Sequence, residues 1–462
     1  MEGLKSSLLS FWKSFSSIFT NYVHHFKNGD MPTRLSYVIM GSGSFLRKQF
    51  VKGFMYLFTE VAYIYFMLTK GFYYLSMLPS LGKNEQGRVW DEVDQIYRVV
   101  KGDNSMLLLL FGMTTVIICF VFVVIYLMNI NSAYKNQKLL ENGKKLPGFI
   151  EDAKEYLDSK FHVTVLSLPV ISITLFTIVP IIFMIALAFT NYDKNHQPPG
   201  NLFTWVGFKN FTSILWTNPL WSKTFVSLFA WTIVWAIFAT FLNYILGMIL
   251  AMIINKKGIK LKGMWRTIFV ITIAVPQFVS LMLMSKLLAD TGAINNILQL
   301  FGLETVRFLT DGKIAKVVVI IINLWVGIPY TMLITSGILM NIPQDLYESA
   351  TIDGAGPVTQ FFKITLPYML HVTTPYLITQ FIGNINNFNV IYLLTGGDPK
   401  SLNYYQAGET DLLITWLFKL TTVEQNYAVA SVIGIIIFII CATLSLITFN
   451  NSSAMTKEDE FQ

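Results

Sequence analysis

Two apolar stretches of the chain contain neutral polar side chains at helical spacing. In one of them Asn384 and Asn387 are three residues apart and share a helical face, and in the other Asn323, Gly327 and Tyr330 fall on one stripe. Amides and aromatic rings can bind a polar, uncharged ligand without placing a costly charge in apolar surroundings. The same amides could instead only join helices to one another, as polar residues of membrane bundles do.

A polar interruption, residues 341–368, separates these two stretches. Asn341 can cap a first helix, Gly354 can end it, Pro357 can begin a second helix and Pro367 can stop that one. The sequence therefore predicts two short helices joined at a bend. The elements on either side must hold this segment and the amide-bearing stretches in position.

The composition predicts an all-α, polytopic membrane protein. The 462 residues are 53% hydrophobic and only 13% charged, which is far more apolar than a soluble core requires. The net charge of +7 does not indicate nucleic-acid binding, because the basic residues flank apolar runs. Cys119 and Cys441 lie inside apolar runs and the five histidines are scattered, so we expect neither a disulfide framework nor a metal site.

Apolar runs long enough to cross a bilayer predict eight spans. They cover residues 53–69, 106–128, 164–190, 225–254, 267–288, 316–340, 370–394 and 427–449. The excess of Lys and Arg on one side places both termini in the cytoplasm. Asp345, Glu348 and Asp353 outnumber Lys363 in a segment that this topology makes cytoplasmic, which suggests a protein partner there.

The predicted spans divide the chain into successive segments. Residues 1–52 are predicted to form a cytoplasmic or interfacial amphipathic segment, whose apolar pattern is Leu4, Leu8, Phe11, Phe15, Ile18, Phe19, Tyr22 and Phe26. Residues 53–130 would form two additional spans joined by an external loop or helical hairpin, residues 131–163 a basic cytoplasmic linker, residues 164–449 a six-helix core, and residues 450–462 a cytoplasmic tail. A linker is expected at residues 41–44. For Glu60, within the first span, we favour placement near a water-facing helix end or a hydrogen bond to a neighbour over a proton relay.

The polar interruption resembles the EAA motif of permease subunits from binding-protein-dependent ABC importers. The matching positions are Glu348, Ala350, Gly354, Ile364, Leu366 and Pro367, with Ser349 replacing the usual Ala. Residues 188–193, 205–211 and 394–399 also look like segments of MalF-type maltodextrin permeases. The resemblance covers about residues 160–450.

This resemblance implies the permease subunit of an ATP-driven importer for oligosaccharides, most simply maltodextrins, in a bacterial plasma membrane. Its partners would be a second, MalG-like permease, two ABC ATPase subunits and an extracytoplasmic sugar-binding protein. The ATPase-coupling residues would be Glu348, Ser349, Ala350, Asp353, Gly354 and Pro367. The chain has no Gly-x-x-x-x-Gly-Lys-[Ser/Thr] sequence, so we expect no cofactor and no catalysis in this subunit, with ATP and Mg²⁺ bound by its partners.

By the same resemblance, the sugar would lie among residues of the fifth, sixth and seventh spans. These are Gln277, Asn323, Gly327, Tyr330, Gly383, Asn384 and Asn387. Ile273 and Gln277 replace the usual Tyr and Ser, and Asn389 replaces an apolar residue, so a permease for another oligosaccharide, such as galacto-oligosaccharides, is an alternative. An ion-coupled secondary transporter and a membrane glycosyltransferase are further alternatives. The first predicts intramembrane acids or broken helices at matching positions in two inverted halves, and the second a carboxylate pair or metal motif on a loop, and the sequence shows none of these clearly.

Overall fold

The computed structural model describes residue 17 and residues 20–256 and 258–450. Residues 20–27 are helical, whereas the amphipathic pattern from Leu4 to Phe19 and the tail from residue 451 lie outside the described residues. The chain divides into two compact units. The first unit comprises the chain up to Ala186 together with Thr190–Trp205. The second comprises Leu187–Phe189 together with the chain from Val206 onward.

Six described helices are long and apolar enough to cross a membrane. They are Phe50–Met77, Ser105–Glu141, Phe161–Ala188, Pro219–Asn255, Gly312–Leu339 and Tyr427–Thr448. Each coincides with a predicted span, which confirms an all-α polytopic membrane protein. Shorter helices lie before and between these six: Met31–Leu35, Ser42–Leu46, Phe149–Leu157, Lys209–Thr212, Ala293–Leu300 and Leu413–Thr422.

The predicted fifth span is broken rather than continuous. Helices Lys262–Ala274 and Gln277–Leu287 meet at 86°, and together they form a seventh candidate span. Val275 between them has an extended backbone, with φ −76° and ψ 124°. The break follows from Pro276, which disfavours helical geometry in the preceding residue and has no N–H to donate.

The predicted seventh span is also interrupted. Its helices are not among those that are long and apolar enough to cross a membrane. Helix Leu366–Ile385 ends before Asn387, and helix Phe388–Leu394 follows. The Asn387 side-chain oxygen accepts a hydrogen bond from the Val390 N–H at 3.3 Å and so caps this second piece. Asparagine side chains compete for backbone groups in this way, which explains why the amide-rich run does not form one helix.

The polar interruption forms the bend that the sequence predicts, with two corrections. Helix Gln344–Ile352 is followed by Gly354 at φ +80°, and helix Pro357–Gln360 comes next. Asn341 does not cap the first helix, because Pro343 occupies that position. Pro367 does not stop the second helix, because the π-helical turn Phe361–Thr365 carries it directly into Leu366–Ile385. The wider turn accommodates a proline that an α-helix would reject.

The segment between the first two spans contains a β-hairpin, so the helical hairpin offered as one alternative is wrong. Strands Gly87–Asp91 and Ile96–Val100 pair antiparallel, with Trp90 opposite Tyr97. The strands are rich in aromatic and β-branched residues, which favour extended pairing over a helix.

The first unit is fastened by polar side chains that precede its first span. Arg47, almost fully buried, donates to Asp30 at 2.7 Å. The expected linker at residues 41–44 is wrong, because Gly41 packs against the backbone of Gly53 at φ +81° and leaves no room for a side chain. Glu60 accepts a hydrogen bond from the Met40 N–H at 2.8 Å, as we favoured.

The second unit has its core among the helices that follow Val206. One cluster of buried residues centres on Trp416, Val432 and Ile433, and another on Trp235, Leu281 and Val319. Spans Pro219–Asn255 and Gly312–Leu339 pack closely, because Gly247 admits the Thr331 side chain, which donates to the Asn243 carbonyl at 3.0 Å.

Candidate functional site

A polar cavity of about 160 Å³ lies inside the second unit. Its lining residues are Ala239, Thr240, Asn243, Gln277, Asn323, Val326, Gly327, Tyr330, Thr331, Tyr376, Leu377, Gln380, Asn384 and Asn387. This set contains every predicted ligand residue except Gly383, which is exposed and is not among the lining residues. The structure thus brings together predicted residues that are far apart in the chain, the outermost being Gln277 and Asn387, 110 positions apart.

Span Gly312–Leu339 supplies one wall of the cavity through the predicted stripe. Asn323 is only 6% exposed, whereas Tyr330 is 49% exposed. Gly327 is required by its neighbour, because a Cβ atom there would lie 2.6 Å from Asn243 Nδ2. This glycine lets the Asn243 amide reach the cavity.

The asparagines of the interrupted span form a second wall. Asn387 Nδ2 donates to Asn384 Oδ1 at 3.3 Å, so the two amides meet although the helix ends between them. Asn384 Nδ2 donates to Thr240 Oγ1 at 3.0 Å. Asn384 therefore joins two helices as well as lining the cavity. Asn389 is exposed and lies outside the lining.

Sequence reasoning missed several polar lining residues. Thr240 and Asn243 are three apart in the span Pro219–Asn255, and Tyr376 and Gln380 are four apart in helix Leu366–Ile385. Both pairs are single polar interruptions on one helical face of an apolar stretch. That spacing is the signal that could have identified them.

Three buried side-chain atoms of the cavity have no hydrogen-bond partner among the described residues. They are Asn243 Oδ1, Asn323 Nδ2 and the Tyr376 hydroxyl, which are an acceptor, a donor and a group that can serve as either. Buried polar groups are almost always paired, so these atoms indicate a place for a polar ligand. The lining includes no Asp, Glu, Lys, Arg or His. The arrangement can therefore hold a neutral ligand that both donates and accepts hydrogen bonds.

A more apolar groove of about 290 Å³ adjoins the cavity. It shares Gln277, Gly327 and Tyr330 with the cavity and adds Trp325 and Ile273. The broken fifth span forms one side of the groove, so the bend at Pro276 places Gln277 where the two spaces meet. An aromatic, apolar surface of this kind suits the flat faces of a ring.

The predicted coupling residues lie on the bend of the polar interruption. Glu348, Ser349 and Asp353 are exposed and Ala350 is half-buried. Gly354 supplies the left-handed backbone at the bend, and Pro367 lies inside the continuing helix.

Hydrogen bonds join the two arms of this bend to each other and to the helix that follows. The hydroxyls of Tyr347 and Thr365 are 2.8 Å apart, and Gln360 Nε2 donates to Thr351 Oγ1 at 2.9 Å. Glu348 accepts a hydrogen bond from Gln344 Nε2 at 3.0 Å and otherwise faces outward. These contacts connect the exposed acidic helix to helix Leu366–Ile385, which carries cavity residues.

Comparisons with known proteins agree with this architecture. Residues 243–454 match the family described as "Binding-protein-dependent transport system inner membrane component". The chain is 35% identical over 427 residues to the galactooligosaccharides transport system permease protein GanP of Bacillus subtilis, covering 91% of this chain and 97% of GanP. It is also 35% identical over 433 residues to the maltodextrin transport system permease protein MalC of Streptococcus pneumoniae, covering 91% and 96%.

A solved structure shares the fold. It is a chain of a bacterial alginate ABC transporter in complex with an alginate pentasaccharide-bound periplasmic protein, with a TM-score of 0.53, 22% identity, and coverage of 65% of this chain and 98% of that chain. Similarity to two permeases over nearly their whole length decides the membership. The chain belongs to the family of inner-membrane components of binding-protein-dependent transport systems, among the sugar permeases of ABC importers, and is a membrane-embedded, non-catalytic transport subunit.

Proposed function

We propose that this chain carries a neutral oligosaccharide across the membrane through the polar cavity, as a permease subunit of an ATP-driven importer. The observation that supports this most directly is the set of unpartnered buried atoms on Asn243, Asn323 and Tyr376. Sugar hydroxyls donate and accept hydrogen bonds without bearing charge, which matches a lining that has no ionisable acid or base apart from tyrosine.

We propose maltodextrins as the substrate. MalC, named for maltodextrin transport, supports this choice, and the aromatic groove with Trp325 and Tyr330 suits an extended chain of sugar rings. Galacto-oligosaccharides are the second candidate, favoured by the equal identity to GanP. The replacement of the usual Tyr and Ser by Ile273 and Gln277 bears on this choice, because it alters the groups at the junction of cavity and groove.

Coupling to ATP hydrolysis is proposed to occur at helix Gln344–Ile352, with Glu348 as the main polar contact to an ATPase subunit. The partners would be two such ATPases, a MalG-like second permease and an extracytoplasmic sugar-binding protein, and both termini would face the cytoplasm. Closure of the ATPases on ATP would move the exposed helix together with Leu366–Ile385. Alternating access then results from the different stabilities of two conformations with ATP bound.

Reconstitution of the assembled transporter in proteoliposomes tests this function. Uptake of labelled maltodextrins or galacto-oligosaccharides should require ATP, the ATPase subunits and the binding protein, and the preferred sugar identifies the substrate. Uptake by this chain alone, driven by an ion gradient without ATP, would instead establish a secondary transporter.

A further inference from the structure

Helix Phe149–Leu157, between the second and third spans, has an apolar face that the described part of the chain leaves uncovered. Phe149, Ile150 and Leu157 are 60%, 69% and 66% exposed. At 100° per residue these side chains, with Ala153 and Tyr156, occupy an arc of about 120°, while the acidic residues lie on the opposite face. This is the pattern of a helix at the surface of an apolar medium.

The segment is tied to the ends of two spans. Lys52, in the first turn of Phe50–Met77, lies 3.8 Å from Asp152. Gln49 Nε2 donates to the Pro147 carbonyl at 2.8 Å, and its side-chain oxygen accepts from Asn136, near the end of Ser105–Glu141, at 2.7 Å. These contacts hold the helix beside the first turn of Phe50–Met77 and the last turns of Ser105–Glu141. A helix in that place is close to the headgroup region expected at the ends of membrane spans.

Three lysines of this segment have no ion-pair partner among the described residues. They are Lys144, Lys145 and Lys154, and all three are exposed. Of the acids, Asp152 faces Lys52, Glu151 accepts a hydrogen bond from the Gly148 N–H at 2.8 Å and Glu155 pairs with Lys160 at 2.8 Å, whereas Asp158 forms no ion pair with a described residue. The hydrogen bond from Lys160 lowers the pKa of Glu155.

We propose that residues 144–160 are a membrane-interface anchor that binds anionic phospholipids. Phe149, Ile150 and Leu157 insert between headgroups toward the acyl chains, and Lys144 and Lys145 bind lipid phosphates. The tether at bilayer depth and the unpaired lysines favour lipid over a soluble protein partner, whose surface would have to reach the headgroup level. This inference does not depend on the proposed sugar or on the identity of the ATPases.

Environment-sensitive fluorescence on the full chain in nanodiscs tests the insertion. A bimane label is placed in Leu157→Cys or, as the control on the opposite face, in Glu151→Cys, with Cys119 and Cys441 replaced by serine. We expect blue-shifted emission from position 157 only, unchanged when ATPase subunits are added. Water-like emission at position 157, or a blue shift that appears only with the ATPases, would refute the anchor.

The charge component is tested separately by lipid retention. The variant Lys144→Gln with Lys145→Gln is compared with Lys194→Gln with Lys400→Gln, which removes two exposed lysines from other loops. In nanodiscs of mixed phosphatidylcholine and phosphatidylglycerol, native mass spectrometry should show anionic-lipid affinity falling about fivefold per lysine for the first pair only. Equal retention by both variants and the unaltered chain would refute anionic-lipid binding by this segment.

Discussion

Asn243, Asn323 and Tyr376 each contribute one buried polar atom without a partner to the same cavity. In a polar cavity a ligand hydroxyl exchanges for the water that such an atom would otherwise bind, and each hydrogen bond then contributes a net of about 0.5–1.5 kcal/mol. Three such atoms in one cavity therefore favour ligands rich in hydroxyl groups.

Truncating Asn323 should weaken sugar recognition without affecting folding. The Asn323→Ala variant removes an unpaired donor, so we expect an increase in KM for uptake of about tenfold, corresponding to roughly 1.4 kcal/mol of lost hydrogen bonding. The measurement is initial uptake rate against sugar concentration in proteoliposomes. Asn389→Ala is the matched control, because Asn389 is exposed and outside the lining. Equal KM values for the two variants would count against Asn323 as a ligand residue.

Adding one methyl group at Gly327 should disturb the cavity through its neighbour. In Gly327→Ala the new Cβ would lie 2.6 Å from Asn243 Nδ2, so the Asn243 amide must turn away from the ligand. We expect reduced sugar uptake with normal assembly. Gly337→Ala, in the same helix, is the control, because a Cβ there has open space within 4 Å. If both alanines affect uptake equally, helix propensity rather than the Asn243 contact is responsible.

The sequence predicted one part of the cavity and not another, for a physical reason. Asn323, Gly327 and Tyr330 were predicted because a family motif and a helical stripe coincide there. Asn243 and Tyr376 were missed, since an isolated polar residue in a span does not reveal whether it faces a neighbouring helix, lipid or a cavity. Only packing decides this, and here Gly327 decides it for Asn243 by leaving space beside it.

The element that links the two predicted sites is helix Leu366–Ile385. It continues without a stop from the π-helical turn Phe361–Thr365, it contacts the exposed helix through Thr365 and Tyr347, and it carries Tyr376 into the cavity. Sequence rules expected Pro367 to end the preceding helix, because a proline normally does so in an α-helix. The wider π-helical turn accommodates Pro367, so the helix continues without a break.

Charge reversal on the exposed helix should separate sugar binding from ATP coupling. Glu348→Lys places a positive charge on the surface proposed to contact an ATPase, so we expect loss of ATP-dependent uptake while sugar binding to the permease remains. The measurements are uptake by proteoliposomes and binding of labelled sugar to the detergent-solubilised permease. Glu304→Lys introduces the same charge change at an exposed loop position and serves as control. Unaltered uptake by the Glu348 variant would rule out this coupling contact.

The bend itself depends on one backbone conformation. Gly354 has φ +80°, so Gly354→Ala should be strained by about 1 kcal/mol and should increase hydrogen exchange in helix Gln344–Ile352. Gly356→Ala is the control, because Gly356 has φ −72° and a Cβ there meets nothing within 4 Å. Equal exchange in both variants would show that the bend does not rely on the left-handed glycine.

At the scale of the whole molecule, charge is distributed unevenly. The chain has a net charge of +7, yet the cavity has no basic or acidic side chain other than tyrosine hydroxyls. Most of the positive charges lie outside the predicted spans or near their ends, as the positive-inside rule leads one to expect. Composition was sufficient to predict the membrane class, but it could not predict the uncharged cavity, which depends on which residues of four separated helices meet.

This charge distribution should make the permease discriminate against acidic sugars. An anionic oligosaccharide would lose hydration in the cavity without gaining a cationic partner, whereas a neutral one gains hydrogen bonds from Asn243, Asn323 and Tyr376. A neutral maltodextrin at 100 times its Kd should stabilise the assembled transporter, without binding protein, by about 2.7 kcal/mol and raise its Tm. An alginate oligosaccharide of equal length at the same concentration should not. Equal shifts in Tm would show that the cavity does not select by charge.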